Sequence, residues 1–199
     1  MLQICQKCAS IIAMRIITGK ARGLKLKTPK GLSTRPTSDR IKESLFSILN
    51  GMIDFDGLNV LDLFAGTGAL GLESLSRGAA HAVFIDKSTT DIISENVKHA
   101  HFEEISTIIR GDVFKLLDKL NGQDKKFELI FCDAPYNQGL WQRALTFVDK
   151  YQMLSSDGLL IIEHGFNEIF ESQMTNIEVV KKVKYGHTTE IVIYKNFRK

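Results

Sequence analysis

Four consecutive residues, Asp133-Ala134-Pro135-Tyr136, combine a carboxylate, a stiffened turn and an aromatic ring. Alone such a set can be a plain β-to-α turn with a buried tyrosine, but it also suits holding a planar base that carries an exocyclic amine. That amine is conjugated with its ring and is a poor nucleophile. An oxygen of Asp133 and the carbonyl of Ala134 can both accept its N–H protons. This draws the nitrogen toward tetrahedral geometry and turns its lone pair toward an electrophile. Pro135 fixes its own φ and biases Ala134 toward extended backbone, which aims the Ala134 carbonyl. Tyr136 offers a face on which a base can stack.

A second stretch, Val60-Leu61-Asp62-Leu63-Phe64-Ala65-Gly66-Thr67-Gly68-Ala69-Leu70-Gly71, carries different chemistry. An apolar run rich in β-formers leads into Gly-x-Gly-x-x-Gly and then a helix-forming run. Glycines let the backbone turn sharply and approach a ligand, and the helix start leaves N–H groups free there. Asp86 lies twenty residues past Gly66, a fitting distance for a carboxylate that accepts hydrogen bonds from ribose hydroxyls. NAD and S-adenosylmethionine both suit such a loop. The turn at Asp133–Tyr136 separates them: it suits a planar amine-bearing base and is an odd arrangement for hydride transfer, so an NAD-dependent oxidoreductase would leave it unexplained.

The elements that must position these residues follow from periodicity. Strands are expected at 59–63, 82–86, 106–110, 128–133 and 159–163. Helices are expected at 69–77, 89–100, 113–119, 139–151 and 167–171. Repeated βα units imply a mostly parallel sheet covered on both faces. Two β-rich runs, 178–185 and 189–194, flank Gly186-His187 and form a hairpin that adds an antiparallel edge, for seven strands in all. In such a sheet ligands sit outside the carboxyl ends of the strands. Asp62, the glycine loop, Asp86, Asp112 and Asp133 all fall at those ends, so one cleft can gather them.

Upstream, residues 14–27 read as a short hairpin in which Leu24 and Leu26 alternate with Lys25 and Lys27. A proline-containing loop follows, then a helix from Asp39 to Asn50. Its apolar stripe is Ile41, Leu45, Ile48 and Leu49, with Arg40, Lys42, Glu43 and Ser47 off it. Residues 1–50 hold ten Lys or Arg against two acids, a charge of +8 on a chain of net +3, so the remainder carries −5. A basic arm on a mildly acidic body points to a polyanion, most simply nucleic acid. Residues 1–13 are expected to be a separate extension, disordered or loosely attached. Its Cys5-Gln6-Lys7-Cys8 lacks the second ligand pair that zinc needs, so no metal is expected. No run is long enough to span a bilayer, and the cytoplasm is the expected location. Cys132, Trp141 and His164 read as structural, with Trp141 on an apolar helical stripe with Leu140, Leu145 and Val148.

The segment Arg35-Pro36-Thr37-Ser38-Asp39-Arg40-Ile41-Lys42-Glu43-Ser44-Leu45-Phe46, the loop from Asp62 to Gly71 and the Asp133–Tyr136 turn together resemble the 16S ribosomal RNA guanine-N2 methyltransferase family, the small-subunit methyltransferase D type. The likeness runs from Met14 to about Lys195. It implies an α/β class I, Rossmann-like methyltransferase core at 51–199. The hairpin and helix at 14–50 then form a basic RNA-binding appendage. It implies S-adenosylmethionine as donor, S-adenosylhomocysteine as product, and a guanine N2 in 16S rRNA as acceptor, within a 30S subunit or assembly intermediate. A monomer is expected. Carried over by motif, Asp62, Ala65, Gly66, Thr67 and Gly68 line the cofactor's methionine side, Asp86 its ribose, and Asp112 with Val113 its adenine. Arg35 and Thr37 lie over the cofactor cleft, and Asp133, Ala134, Pro135 and Tyr136 form the catalytic turn. Arg15, Lys20, Arg22, Lys25, Lys27 and Arg40 are the expected RNA contacts. The family usually has a second proline where this chain has Ala134, which keeps the carbonyl and gives up some rigidity. A DNA adenine-N6 methyltransferase is the alternative, since similar turns serve that reaction.

Overall fold

The computed structural model describes residues 14–29, 39–121, 125–168 and 174–198. The extension at 1–13, together with Arg35 and Thr37, lies outside the described residues. The elements in chain order are α1 (Asp39–Leu49), β1 (Asn59–Leu63), α2 (Ala69–Arg77), β2 (His81–Asp86), α3 (Thr90–His99), β3 (Ser106–Arg110), α4 (Val113–Asn121), β4 (Phe127–Asp133), α5 (Leu140–Lys150), β5 (Leu154–Gly165), β6 (Ile177–Tyr185) and β7 (Thr189–Asn196). The helix expected at 167–171 falls mostly on 169–173, outside the described residues. No helix among the described residues is long and apolar enough to cross a membrane.

One seven-stranded sheet runs β3-β2-β1-β4-β5-β7-β6. Its first five strands are parallel. β7 inserts antiparallel beside β5, and β6 is the edge. The winding reverses between β1 and β4, so the cleft outside their carboxyl ends is the topological switch point. Alternation along each strand sends side chains to two cores. Val60, Leu129 and Phe131 face one core with α1, α2 and α3; Leu61, Leu63, Ile130 and Cys132 face the other with α4 and α5. This is a class I methyltransferase fold.

Three local details depart from the sequence expectations. β5 begins at Leu154, not residue 159, because the polar run 155–158 is carried through an irregular register opposite Phe127 and Leu129, with Asp157 at φ 61. The buried stripe of α1 is Lys42, Leu45, Phe46 and Leu49, while Ile41 and Ile48 are only partly covered. Lys42, expected off that stripe, is 1% exposed because Glu73 and the Arg15 carbonyl receive its ammonium.

The N-terminal hairpin is held by a bridge between Arg15 and Lys25 and packs Ile16 and Leu26 into the first core. Glu73 on α2 anchors it, accepting the Ile17 and Thr18 amides at 2.6 and 3.0 Å. Asn96 on α3 anchors its far end, accepting the Lys27 amide at 2.7 Å and donating to the Lys27 and Thr67 carbonyls.

Candidate active site

β1 delivers the chain to the glycine loop through Phe64, a non-glycine residue at φ 58. Such backbone is strained for a bulky side chain and persists only where the surroundings enforce it. Here the Phe64 ring packs edge-on against Phe114 at 6.1 Å. Gly66 and Gly68 continue at φ 57 and 78, and α2 starts at Ala69. The last glycine of the motif serves packing. A Cβ on Gly71 would lie 2.3 Å from the Phe84 ring on β2.

The acids at the strand ends fasten this loop. Asp86 takes the Gly66 amide at 3.0 Å on one oxygen and the Ser88 and Thr89 amides at 2.7 and 2.9 Å on the other. Asp62 accepts the Gly71 amide at 3.0 Å. It is 2% exposed, and burial pushes its carboxyl up to about 8, with the nearby Asp86 charge adding to the rise and the Gly71 amide opposing it. Asp112 caps α4, accepting the Phe114 and Lys115 amides at 3.1 Å.

Asp62, Ala65, Gly66, Thr67, Asp86, Asp112 and Val113 line one cavity of about 960 Å³ with Asp133, Ala134, Pro135 and Tyr136. Gly68 sits just beneath, packed toward Ile93 and Phe84. The Tyr136 hydroxyl donates to Glu163 at 2.7 Å and lies 3.4 Å from Thr189. Its phenol titrates well above the usual range because it is partly buried and faces the Glu163 charge. Beyond the turn, Glu168 accepts from the Asn137 amide and the Trp141 indole.

Phe64, Lys42, Glu163 and Thr189 also line the cavity and were not singled out from the sequence. Glu163 is the instructive omission. It lies near the end of β5 next to the more conspicuous His164, yet strand alternation turns His164 away, 4% exposed and stacked on Trp141 at 4.4 Å. A strand-end rule applied to acids alone would have found it. Trp141 and His164 are structural, as is Cys132, whose thiol burial drives upward.

The expected RNA contacts Arg15, Lys20, Arg22, Lys25, Lys27 and Arg40 are all exposed on the hairpin and α1. Arg15 pairs with Asp39 at 3.3 Å and Lys27 with Glu95 at 2.7 Å. Met14 from the same hairpin, and Thr28 and Pro29 directly after it, reach the cavity wall.

A family model described as conserved hypothetical protein 95 matches residues 14–195. Ribosomal RNA small subunit methyltransferase D of Escherichia coli (strain K12) is 32% identical over 154 residues, covering 75% of this chain and 74% of that protein. The chain belongs to the small-subunit methyltransferase D family. YlbH of Bacillus subtilis (strain 168) is 37% identical over 184 residues, 92% of this chain and 98% of that protein. The solved structure of Escherichia coli yhhF superposes with a TM-score of 0.79 at 26% identity, covering 94% of this chain and 99% of that one. The family match thus takes in the N-terminal hairpin, the glycine loop and the Asp133–Tyr136 turn together.

Proposed function

We propose that the protein methylates the exocyclic N2 of a guanine in small-subunit rRNA, with S-adenosylmethionine as donor. The observation that carries this is the convergence of the glycine loop, Asp62, Asp86 and the Asp133–Tyr136 turn on one cavity at the switch point. The names of relatives such as the Escherichia coli enzyme support rRNA as the substrate and disfavour DNA adenine.

The residues present fit the cofactor. Asp62 is a buried carboxyl suited to an ammonium, the Gly66–Gly68 backbone can approach closely, and Asp86 and Asp112 line the same cavity and are suited to ribose and adenine. When bound, the cofactor supplies an electrophilic methyl group on sulfur. Asp133 and the Ala134 carbonyl accept the two N–H protons of the guanine amine and turn its lone pair toward that methyl. Tyr136, held by Glu163, presents a stacking face to the base. Positioning is the main contribution to rate. The target guanine must be unstacked, since its N2 otherwise lies in a groove with no room for the cavity wall. The hairpin and α1 form the basic appendage that grips the surrounding RNA, in a 30S subunit or assembly intermediate, and the protein acts as a monomer in the cytoplasm.

The test is methyl transfer from labelled S-adenosylmethionine to small-subunit rRNA and to 30S particles, with duplex DNA as control, followed by digestion to nucleosides. Label in N2-methylguanosine is the expected result. Label in N6-methyladenine from DNA would overturn the reading.

A further inference from the structure

Glu163 shares the cavity with Asp133, and nothing above gives it a role toward substrate. The two acids are register partners on the parallel pair β4–β5, so their side chains leave the same face of the sheet. The Tyr136 hydroxyl donates to Glu163 at 2.7 Å, and Thr189, itself 1% exposed, stands 3.4 Å from that hydroxyl. The carboxylate is therefore oriented by a part-buried hydrogen bond at the cavity wall. An ionised carboxylate can accept about four hydrogen bonds, so its bond from Tyr136 is compatible with another from a base.

We propose that Glu163 selects guanine by accepting the N1–H of the target base, while Asp133 and Ala134 accept the adjacent N2 amine. This rests on the reading of the site as a guanine-N2 methyltransferase. The Watson–Crick edge of guanine carries two neighbouring donors, N1–H and the N2 amine. Two acids from neighbouring strands, facing one cavity, match that edge. Adenine and 2-aminopurine present an unprotonated N1 at the same place. Its lone pair would face the Glu163 carboxylate, so two acceptors would meet inside the cavity with no proton between them. A site built around a substrate N–H rejects the analogue lacking it far more strongly than an apolar pocket rejects a change of size. Flipped bases are commonly read in this way, by hydrogen bonds to the pairing edge.

The test compares guanine with 2-aminopurine, since both offer a 2-amine to the methyl group. Ligated rRNA carries one or the other at the position mapped as N2-methylguanosine, assembled into the same particle. The wild-type protein is expected to favour guanine by about 100-fold or more in kcat/KM. Glu163→Gln should lower the rate on guanine and shrink that preference at least about tenfold, because its amide can donate to the bare N1. Tyr136→Phe removes the phenol bond and keeps the acid, so it should slow both substrates and leave the preference in place. S-adenosylhomocysteine binding by calorimetry should be unchanged in Glu163→Gln, which also reports folding. An unchanged preference in Glu163→Gln would overturn the proposal, as would Tyr136→Phe collapsing the preference to the same degree. A wild-type protein that methylates guanine without preferring it over 2-aminopurine would sink this inference alone. A wild-type protein that methylates neither RNA would sink the reading beneath it as well.

Discussion

Asp62 sits where a negative charge is costly, and two consequences follow. Burial holds its carboxyl near 8, so the free protein keeps it largely protonated at neutral pH. Accepting the cofactor's ammonium requires the ionised form. S-adenosylhomocysteine binding at pH 7 should therefore release close to one proton and tighten as pH rises toward 8. Calorimetry in phosphate and Tris checks this through the buffer dependence of the apparent enthalpy; equal enthalpies would refute it. The stability consequence has the opposite sign to that of a salt-bridged acid. Between its ordinary 3.8 and about 8, the unfolded chain has lost the proton that the folded chain still holds, so stability falls as pH rises through that window. Asp62→Asn removes this loss. It should melt above wild type at pH 8, by a difference of a few kcal/mol that narrows toward pH 4, while losing cofactor affinity. Asp133→Ala should do the reverse to function, abolishing methyl transfer while S-adenosylhomocysteine binding persists, because Asp133 addresses the base. Near-normal turnover in that variant would end the amine-activation argument. These acids were legible because a strand end is a position that sequence gives directly. Glu163 stood at an expected strand end too, but His164 beside it was the more conspicuous residue, and only the register with β4 shows which of the two faces the cavity.

At the scale of elements, the hairpin and α2 behave as one unit. Glu73, with none of its surface exposed, accepts the Ile17 and Thr18 amides, pairs with Arg77 at 2.9 Å and stands 3.9 Å from the Lys42 ammonium. Burial lowers the Lys42 titration and the Glu73 charge opposes that shift, so removing the acid strands a buried cation and two amides. Glu73→Ala should cost about 3–5 kcal/mol in urea unfolding of the intact protein. A loss below about 1 kcal/mol, the scale of an exposed pair, would show that the network does not hold the hairpin. A second probe of the same contact is Gly19→Ala. Gly19 has φ 87, and a Cβ there would lie 1.8 Å from the Ser76 carbonyl that receives the Lys20 amide at 2.8 Å. It should loosen the hairpin from α2 and weaken RNA binding several-fold more than cofactor binding. The alternation of Leu24 and Leu26 with lysines made the hairpin itself readable. Its anchor was not readable, because Lys42 and Glu73 are 31 positions apart in sequence and each alone looks like a surface charge.

Across the whole molecule, the described part of the basic arm is joined to the acidic cavity through a shared core. The charge of +8 on the first 50 residues was visible in the sequence. That the arm enters the core through Ile16 and Leu26 was not, since two apolar residues in a basic hairpin do not reveal what covers them. The docking matters for function. Met14, Thr28 and Pro29 reach the cavity wall while Lys20, Arg22 and Lys25 remain exposed on the hairpin. A phosphate held by those cations would lie at a set distance from the base-binding turn, so gripping the backbone would also place the target nucleotide. Arg15 and Lys27 are already answered by Asp39 and Glu95, but exposed pairs of this kind are weak and exchange readily for phosphates. The signature of such a grip is its salt dependence, because each neutralised phosphate releases bound counterion. Replacing Lys20, Arg22 and Lys25 by Ala should lower the slope of log affinity against log salt by about 2–3 for rRNA. S-adenosylhomocysteine affinity should stay at the wild-type value, since none of the three lines the cavity. Filter binding over a salt series measures the slope and calorimetry the cofactor affinity. An unchanged slope would mean that the arm does not touch the RNA backbone. A lost cofactor affinity would mean that the arm's charge acts through the fold.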